Sequence, residues 1–157
     1  MAYDFSAKDV FEMAKQIERN GVKFYQTASN NVAGDKEKKM LMGLAKMEEQ
    51  HEKTFAEMEA GLKDKEMSET VFDPEDEATL YLKALADTRV FFEKNIDTSS
   101  MKAILKTAII AEKDSIVFYV GMKDLVPEKF GRNKLEGIIR EEMGHIRMLS
   151  NELVSLK

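Results

Sequence analysis

The sequence predicts an all-α protein, a four-helix bundle made of two antiparallel helical hairpins. Two observations carry this prediction. The 157 residues include only 2 Pro and 8 Gly, the residues that most disfavour helix interiors, together with 11 Met and no Trp. The chain also contains two copies of one helical pattern, separated by a constant shift in residue number. An internal repeat of this kind indicates the architecture before any single motif does.

The repeat centres on two Glu-x-x-His segments, which hold both histidines of the chain. Glu48 and His51 recur 94 residues later as Glu142 and His145. The same shift pairs several residues upstream of each segment: Glu18 with Glu112, Val22 with Ile116, Phe24 with Phe118, and Tyr25 with Tyr119. We therefore predict two hairpins that make near-equivalent contributions to one site.

The first hairpin is predicted over residues 6–61. Its helices should run from about residue 7 to 31 and from about 36 to 61. Between them, Gly34 suits a left-handed turn residue and Asp35 a new N-cap. Positions that recur at intervals of three and four should face inward. They are Phe11, Ala14, Glu18, Gly21 and Tyr25 in the first helix, and Met40, Leu44, Met47, Glu48, His51, Phe55 and Met58 in the second.

Residues 62–99 have no copy within the repeat and are predicted to form a long crossover connection. Asp73 followed by Pro74 is typical of a helix start, so a short helix is expected at about 74–86. So few residues could not bury a core of their own. Residues 1–157 are therefore expected to form a single domain.

The second hairpin is predicted over residues 100–156. Ser99 or Ser100 should cap its first helix, at about 101–124. Its second helix should begin at residue 128 or 132 and end near 155. The inward positions are Ile104 or Leu105, Ala108, Glu112, Ser115, Tyr119 and Met122 in one helix, and Leu135, Ile138, Ile139, Glu142, His145 and Leu149 in the other.

Six of the inward-facing residues are candidate metal ligands: Glu18, Glu48, His51, Glu112, Glu142 and His145. A Glu and a His three residues apart on a helix lie on one face and can reach the same cation. Four carboxylates in a dry bundle would carry a charge of about −4, at a cost of several kcal/mol for each one left unpaired. Two divalent ions would neutralise them. Carboxylate and imidazole ligands without thiolate suit iron(II) or manganese(II), and also accept zinc.

Tyr25 and Tyr119 are candidates for a role beside the metal ions. Each lies seven residues, or two helical turns, after the glutamate of its own helix and therefore on the same face. A phenol there could donate to a ligand carboxylate across the bundle, or could be an ordinary buried tyrosine. A metal-free bundle, with protonated glutamates hydrogen-bonded to these tyrosines, is the alternative to a metal site. The acidic neighbours Glu49 and Glu141 are expected to be solvated.

The composition excludes several classes of partner and cofactor. A net charge of −5 and a pI near 5.2 argue against nucleic acid and anionic membranes as partners. Because there is no Cys, the chain can hold no disulfide, iron–sulfur cluster or Cys-ligated iron of its own. Charged residues occupy the start of the chain where a signal peptide would be apolar, and no apolar run could span a bilayer. A cytoplasmic protein is expected.

The chain resembles the rubrerythrin branch of the ferritin-like superfamily over essentially its whole length. The resemblance rests on residues 18–25, 47–55, 111–115 and 141–145. It implies a ferritin-like bundle with its crossover between the second and third helices, two iron ions and a homodimer. Glu48 and Glu142 would bridge the two irons. Glu18 and His51 would complete one ion, and Glu112 and His145 the other.

The same resemblance implies an oxidoreductase that reduces hydrogen peroxide or dioxygen. Rubrerythrins usually carry a further Glu where this chain has Ser115, and often a Cys-rich rubredoxin domain. Without Cys, this chain would need an external electron donor such as a rubredoxin. The alternative is iron oxidation for storage or detoxification, because bacterioferritin has the same four-Glu, two-His set. No haem is expected, since Glu49 stands where bacterioferritin has its haem-binding Met.

Overall fold

The structure, a computed structural model, describes residues 7–62, 80–82, 84–85, 98–126 and 128–156. Four long helices contain most of these residues. They are α1 (Ala7–Asn31), α2 (Asp35–Ala60), α3 (Met101–Lys123) and α4 (Arg132–Ser155). Helix α1 packs along α2 and α3 along α4, while smaller contacts, mainly between α1 and α3, join the two hairpins. The predicted all-α fold with two helical hairpins is confirmed.

The second hairpin begins and turns much as its sequence predicts. Ser100 is the N-cap of α3, and its hydroxyl accepts a hydrogen bond from the Ala103 amide at 3.1 Å. A single 3₁₀ turn (Glu128–Phe130) precedes α4, and Gly131 follows it with φ +106°. Because a side chain is strained at that φ, and a Cβ there would also lie 3.1 Å from Met58 Cε, glycine suits this turn. Helix α4 therefore starts at Arg132.

The prediction for the turn between α1 and α2 is wrong. Gly34 has φ −78° and ψ 137°, which is extended rather than left-handed, and it is the N-cap of α2 itself. Its carbonyl accepts the first helical hydrogen bond, from the Lys38 amide at 3.0 Å. Asp35 is already helical and, with Glu37, places negative charge in the first turn, where the helix dipole stabilises it.

The described part of the crossover docks on α3. Residues 80–82 and 84–85 are helical, in agreement with a short helix in the crossover, whereas the remainder of the predicted helix at 74–86 lies outside the described residues. Leu82 is fully buried, and the Tyr81 hydroxyl donates to the Val117 carbonyl at 2.9 Å. A Cβ at Gly121 would lie 2.6 Å from the Tyr81 ring, so glycine permits this close packing.

The apolar core is divided into two clusters by a polar layer. One cluster joins the first half of α1 to the end of α2, the second half of α3 and the start of α4. The other joins the second half of α1 to the start of α2, the first half of α3 and the end of α4. The predicted inward face of α2 needs correction, because Leu41 and Ala45 are buried whereas Met47 is 36% exposed. None of the described helices is long and apolar enough to cross a membrane.

Candidate metal centre

The polar layer between the two apolar clusters contains all six predicted ligands. Helices α1 and α3 each supply one glutamate, and α2 and α4 each supply a Glu-x-x-His pair, so every helix contributes. None of the six is more than 4% exposed: Glu18, Glu48, His51, Glu112, Glu142 and His145. Residues that are far apart in sequence therefore converge in one dry region of the bundle.

The first group of donors surrounds the Nδ1 atom of His51. This nitrogen lies 2.8 Å from Glu142 Oε1, 3.2 Å from Glu48 Oε2 and 3.6 Å from Glu18 Oε2. One ligand atom from each of these four residues lies within 4.8 Å of the others. Such a cluster can hold a single cation.

The second group surrounds the Nδ1 atom of His145. This nitrogen lies 3.3 Å from Glu142 Oε2 and 3.4 Å from Glu112 Oε1. With Glu48 these residues form another set of donors within 4.8 Å of one another. Glu48 and Glu142 belong to both groups, so the geometry is that of two neighbouring positions that share two carboxylates. The two imidazole rings stack, with centroids 5.8 Å apart.

Within the centre, several atoms of the shared carboxylates and one nitrogen of each imidazole lack a hydrogen-bond partner. Glu48 Oε2, both carboxylate oxygens of Glu142, and the Nδ1 atoms of His51 and His145 are buried without a hydrogen-bond partner. A buried polar atom without a partner costs about 1–3 kcal/mol, and more when it is charged. All five are oxygen or nitrogen atoms that belong to the two overlapping groups, and such atoms can ligate two divalent cations.

The pKa values of two buried glutamates and of both histidines are raised when no cation is bound. Burial and the charge of Glu48 raise the pKa of Glu18 well above its usual value, and burial and the charge of Glu112 raise that of Glu142. Burial alone would lower the pKa of the histidines, but the surrounding carboxylates outweigh it. They raise the pKa of His145 to about 10 and that of His51 further. Without metal, the folded centre therefore binds protons more tightly than the same groups would in the unfolded chain.

The two tyrosines connect the hairpins. The Tyr25 hydroxyl donates to Glu112 Oε1 and the Tyr119 hydroxyl donates to Glu18 Oε1, both at 2.5 Å. Each tyrosine therefore holds the unshared glutamate of the other hairpin. Burial and the nearby carboxylates raise the pKa of both phenols well above the usual value, so both remain protonated donors.

We expect Tyr119→Phe to weaken both the fold and one metal position. Glu18 loses its donor, which should lower the free energy of unfolding by about 1–3 kcal/mol. The ion beside Glu18 should bind about 10–100-fold more weakly, since that carboxylate is no longer oriented. Urea unfolding and zinc calorimetry test both effects. The control is Tyr81→Phe, which removes an exposed hydroxyl that donates to a backbone carbonyl and contacts no ligand, and it should leave zinc binding unchanged. Wild-type zinc binding by the Tyr119 variant would contradict the orienting role.

Close packing of α1 also positions a shared carboxylate. A Cβ at Gly21 would lie 3.2–3.3 Å from the side chain of Glu48, so the absence of a side chain leaves room for that glutamate. The repeat pairs Gly21 with Ser115, whose hydroxyl donates to the Ala111 carbonyl of its own helix at 3.0 Å. The space beside Gly21 is therefore occupied by a ligand side chain.

Sequence reasoning missed two residues behind the histidines. Glu141, expected to be solvated, has its side chain 54% exposed, yet its Oε2 lies 2.5 Å from His51 Nε2. Met47, expected in the core, places its Sδ 3.3 Å from His145 Nε2. The 94-residue shift that relates the ligands also relates Glu141 to Met47. Because these two positions are equivalent in the repeat and each directly precedes a ligand glutamate, the repeat was the sequence signal that could have identified both residues.

The comparisons with known proteins agree with this architecture. The rubrerythrin family model matches residues 9–153, which is most of the chain. A solved structure from Thermotoga maritima, described as a ferritin-like diiron-carboxylate protein, is 24% identical, with a TM-score of 0.73 and full coverage of both chains. That likeness establishes a ferritin-like fold. Among curated proteins, none matches the chain significantly. On the extent of the family match and the four-Glu, two-His centre, the chain belongs to the rubrerythrin family.

Proposed function

We propose that this chain is a di-iron oxidoreductase that reduces hydrogen peroxide or dioxygen. The observation that carries the proposal is the buried pair of overlapping donor groups, which share Glu48 and Glu142. Glu18 and His51 would complete one iron position, and Glu112 and His145 the other. Membership of the rubrerythrin family supports this chemistry.

The donor set accepts iron among other divalent ions, and the proposed reaction requires an ion that can be oxidised. Four carboxylates and two imidazoles without a thiolate suit iron(II) or manganese(II), while zinc would also bind through its higher general affinity. Reduction of one hydrogen peroxide to two waters takes two electrons and two protons. A pair of iron(II) ions supplies two electrons when bound, which a pair of zinc ions cannot do.

The protein itself contributes ligand charge, orientation and exclusion of water. The two apolar clusters close the polar layer on both sides. Tyr25 and Tyr119 hold a proton at their hydroxyl oxygens and orient Glu112 and Glu18. Glu48 Oε2 and both carboxylate oxygens of Glu142 have no hydrogen-bond partner, so these oxygens remain available to the two positions.

The electrons for repeated turnover would come from a separate donor. The 157 residues contain no Cys, so they cannot hold a Cys-ligated iron as an internal relay. A small electron-transfer protein such as a rubredoxin is the proposed partner, and the active unit is proposed to be a homodimer in the cytoplasm. Peroxide or dioxygen is the small-molecule substrate.

Stopped-flow mixing of the iron(II)-loaded protein with each oxidant tests the function. We expect peroxide to oxidise two irons per chain in one phase, more rapidly than an equal concentration of dioxygen. Peroxide consumption should then continue while a chemical reductant is supplied. Glu49→Ala, which changes an exposed neighbour of Glu48, should behave as wild type.

Two outcomes would contradict the proposal in different ways. Iron oxidation that is faster with dioxygen and continues far beyond two irons per chain would favour the ferroxidase alternative. Failure to retain iron at all would favour the metal-free bundle.

A further inference from the structure

The internal symmetry of the centre is broken behind the two histidines. Both rings present Nδ1 to the carboxylates and Nε2 to the outside of the centre. Behind His51, Nε2 lies 2.5 Å from Glu141 Oε2. Behind His145, Nε2 lies 3.3 Å from Met47 Sδ. Since the repeat relates Glu141 to Met47, equivalent positions place a carboxylate behind one histidine and a thioether behind the other.

These two neighbours act differently on an imidazole that binds a cation. A ligating Nδ1 needs its lone pair free, so the ring proton must lie on Nε2 and be donated outward. A carboxylate accepts that proton in a short, charge-assisted hydrogen bond, which fixes the ring and increases the electron density on Nδ1. A thioether is uncharged and only a weak acceptor. His51 is therefore the better oriented and stronger donor of the two.

We propose that the two metal positions are unequal, with the position of Glu18 and His51 binding a divalent ion more tightly than that of Glu112 and His145. Glu141 is a positioning residue that acts through His51, and Met47 occupies the equivalent place without supplying a charge. The inference rests on the proposed metal binding. It replaces the sequence-based expectation of near-equivalent positions.

Single-position variants measure this difference without interference between neighbouring ions. Two ions that share carboxylates influence each other, so a two-step titration of the wild type would not by itself identify unequal positions. His145→Ala leaves only the His51 position complete, and His51→Ala leaves only the His145 position complete. Zinc calorimetry on the metal-free full-length chain should give a Kd about 10–100-fold lower for the His145→Ala protein than for the His51→Ala protein.

Substitutions of Glu141 and Met47 then test whether these two residues cause the difference in zinc Kd. In the His145→Ala background, Glu141→Met should raise the zinc Kd about 10–100-fold, while Glu141→Gln, which keeps an acceptor oxygen without the charge, should raise it less. In the His51→Ala background, Met47→Glu should lower the Kd. Both positions are partly exposed, which favours retention of the fold, and circular dichroism checks it.

The outcomes separate this inference from the proposed function. Equal Kd values in the two histidine variants, or no change on Glu141→Met, would overturn the inequality while leaving a two-metal centre intact. Absence of zinc binding in the wild-type chain would overturn the metal centre and, with it, both proposals. A lower Kd in the His51→Ala protein would show that the order of the positions is reversed.

Discussion

Glu142→Gln is expected to weaken the binding of both metal ions strongly and at the same time to stabilise the metal-free protein. Glu142 belongs to both donor groups, and neither of its oxygens has a hydrogen-bond partner. Loss of this carboxylate should therefore weaken both positions by about 100-fold or more, since even partners outside the ligand shell are worth 10–100-fold. Substitution of an unshared ligand should weaken one position much more than the other.

The metal-free variant is expected to be more stable than the metal-free wild type, because a buried carboxylate without a metal ion destabilises the folded chain. Burial and the charge of Glu112 raise the pKa of Glu142, so its ionised form is disfavoured in the folded chain. Glutamine resembles the neutral acid and cannot ionise. The metal-free variant should therefore be more stable than wild type at high pH, where the carboxylate would ionise, and the difference should shrink as pH falls.

Metal analysis and urea unfolding in the presence of chelator test the two effects on the same protein. Glu49→Gln is the matched control, because it makes the same change at an exposed position beside Glu48 and should alter neither property. A Glu142→Gln protein that retains two ions would exclude the shared role of this residue.

Chelation of the metal is expected to lower the melting temperature, by an amount that grows with pH. A ligand present at about 1,000 times its Kd stabilises the folded state by about 4 kcal/mol. For a chain of this length, each kcal/mol corresponds to about 2–4 °C. A loss of roughly 10 °C at pH 8 is therefore expected from one tightly bound ion.

The direction of the pH effect follows from the raised pKa values. Glu18 and Glu142 have pKa values above their unfolded value of 4.5, so their favourable contribution is complete below that pH and is lost as pH rises through the folded values. The contribution of the histidines is complete below pH 6.5 and is lost as pH rises, towards about 10 for His145. The glutamates and the histidines therefore both make the metal-free form less stable as pH rises.

Metal binding has the opposite pH dependence, because the ligands must lose their protons to coordinate an ion. The gap between the melting temperatures of the loaded and chelated protein should therefore widen from pH 5 to pH 9. Calorimetric melts at constant ionic strength measure it. Stability of the chelated protein that is flat across this range would contradict a buried cluster of carboxylates and histidines.

The sequence by itself determined the helices and the candidate ligands. Predicted and observed helix ends agree to within about one residue, apart from the start of α4, which is predicted at 128 or 132 and lies at Arg132. The agreement follows from the apolar periodicity of each helix and from the Ser100 cap of α3. The repeat identified Glu18, Glu48, His51, Glu112, Glu142 and His145, since helical spacing places a Glu and a His three residues apart on one face.

Only the tertiary structure decided which side chains meet across the bundle. Periodicity reports the faces of one helix, whereas contacts between helices depend on their relative rotation and offset. That rotation buries Leu41 and Ala45 in α2 and leaves Met47 partly exposed behind His145. It also brings Tyr119 to Glu18 and Glu141 to His51, residues about a hundred positions apart. The two halves of the chain are similar in sequence but differ at the equivalent positions 47 and 141, and packing across the bundle places each of these residues behind the histidine of the other half.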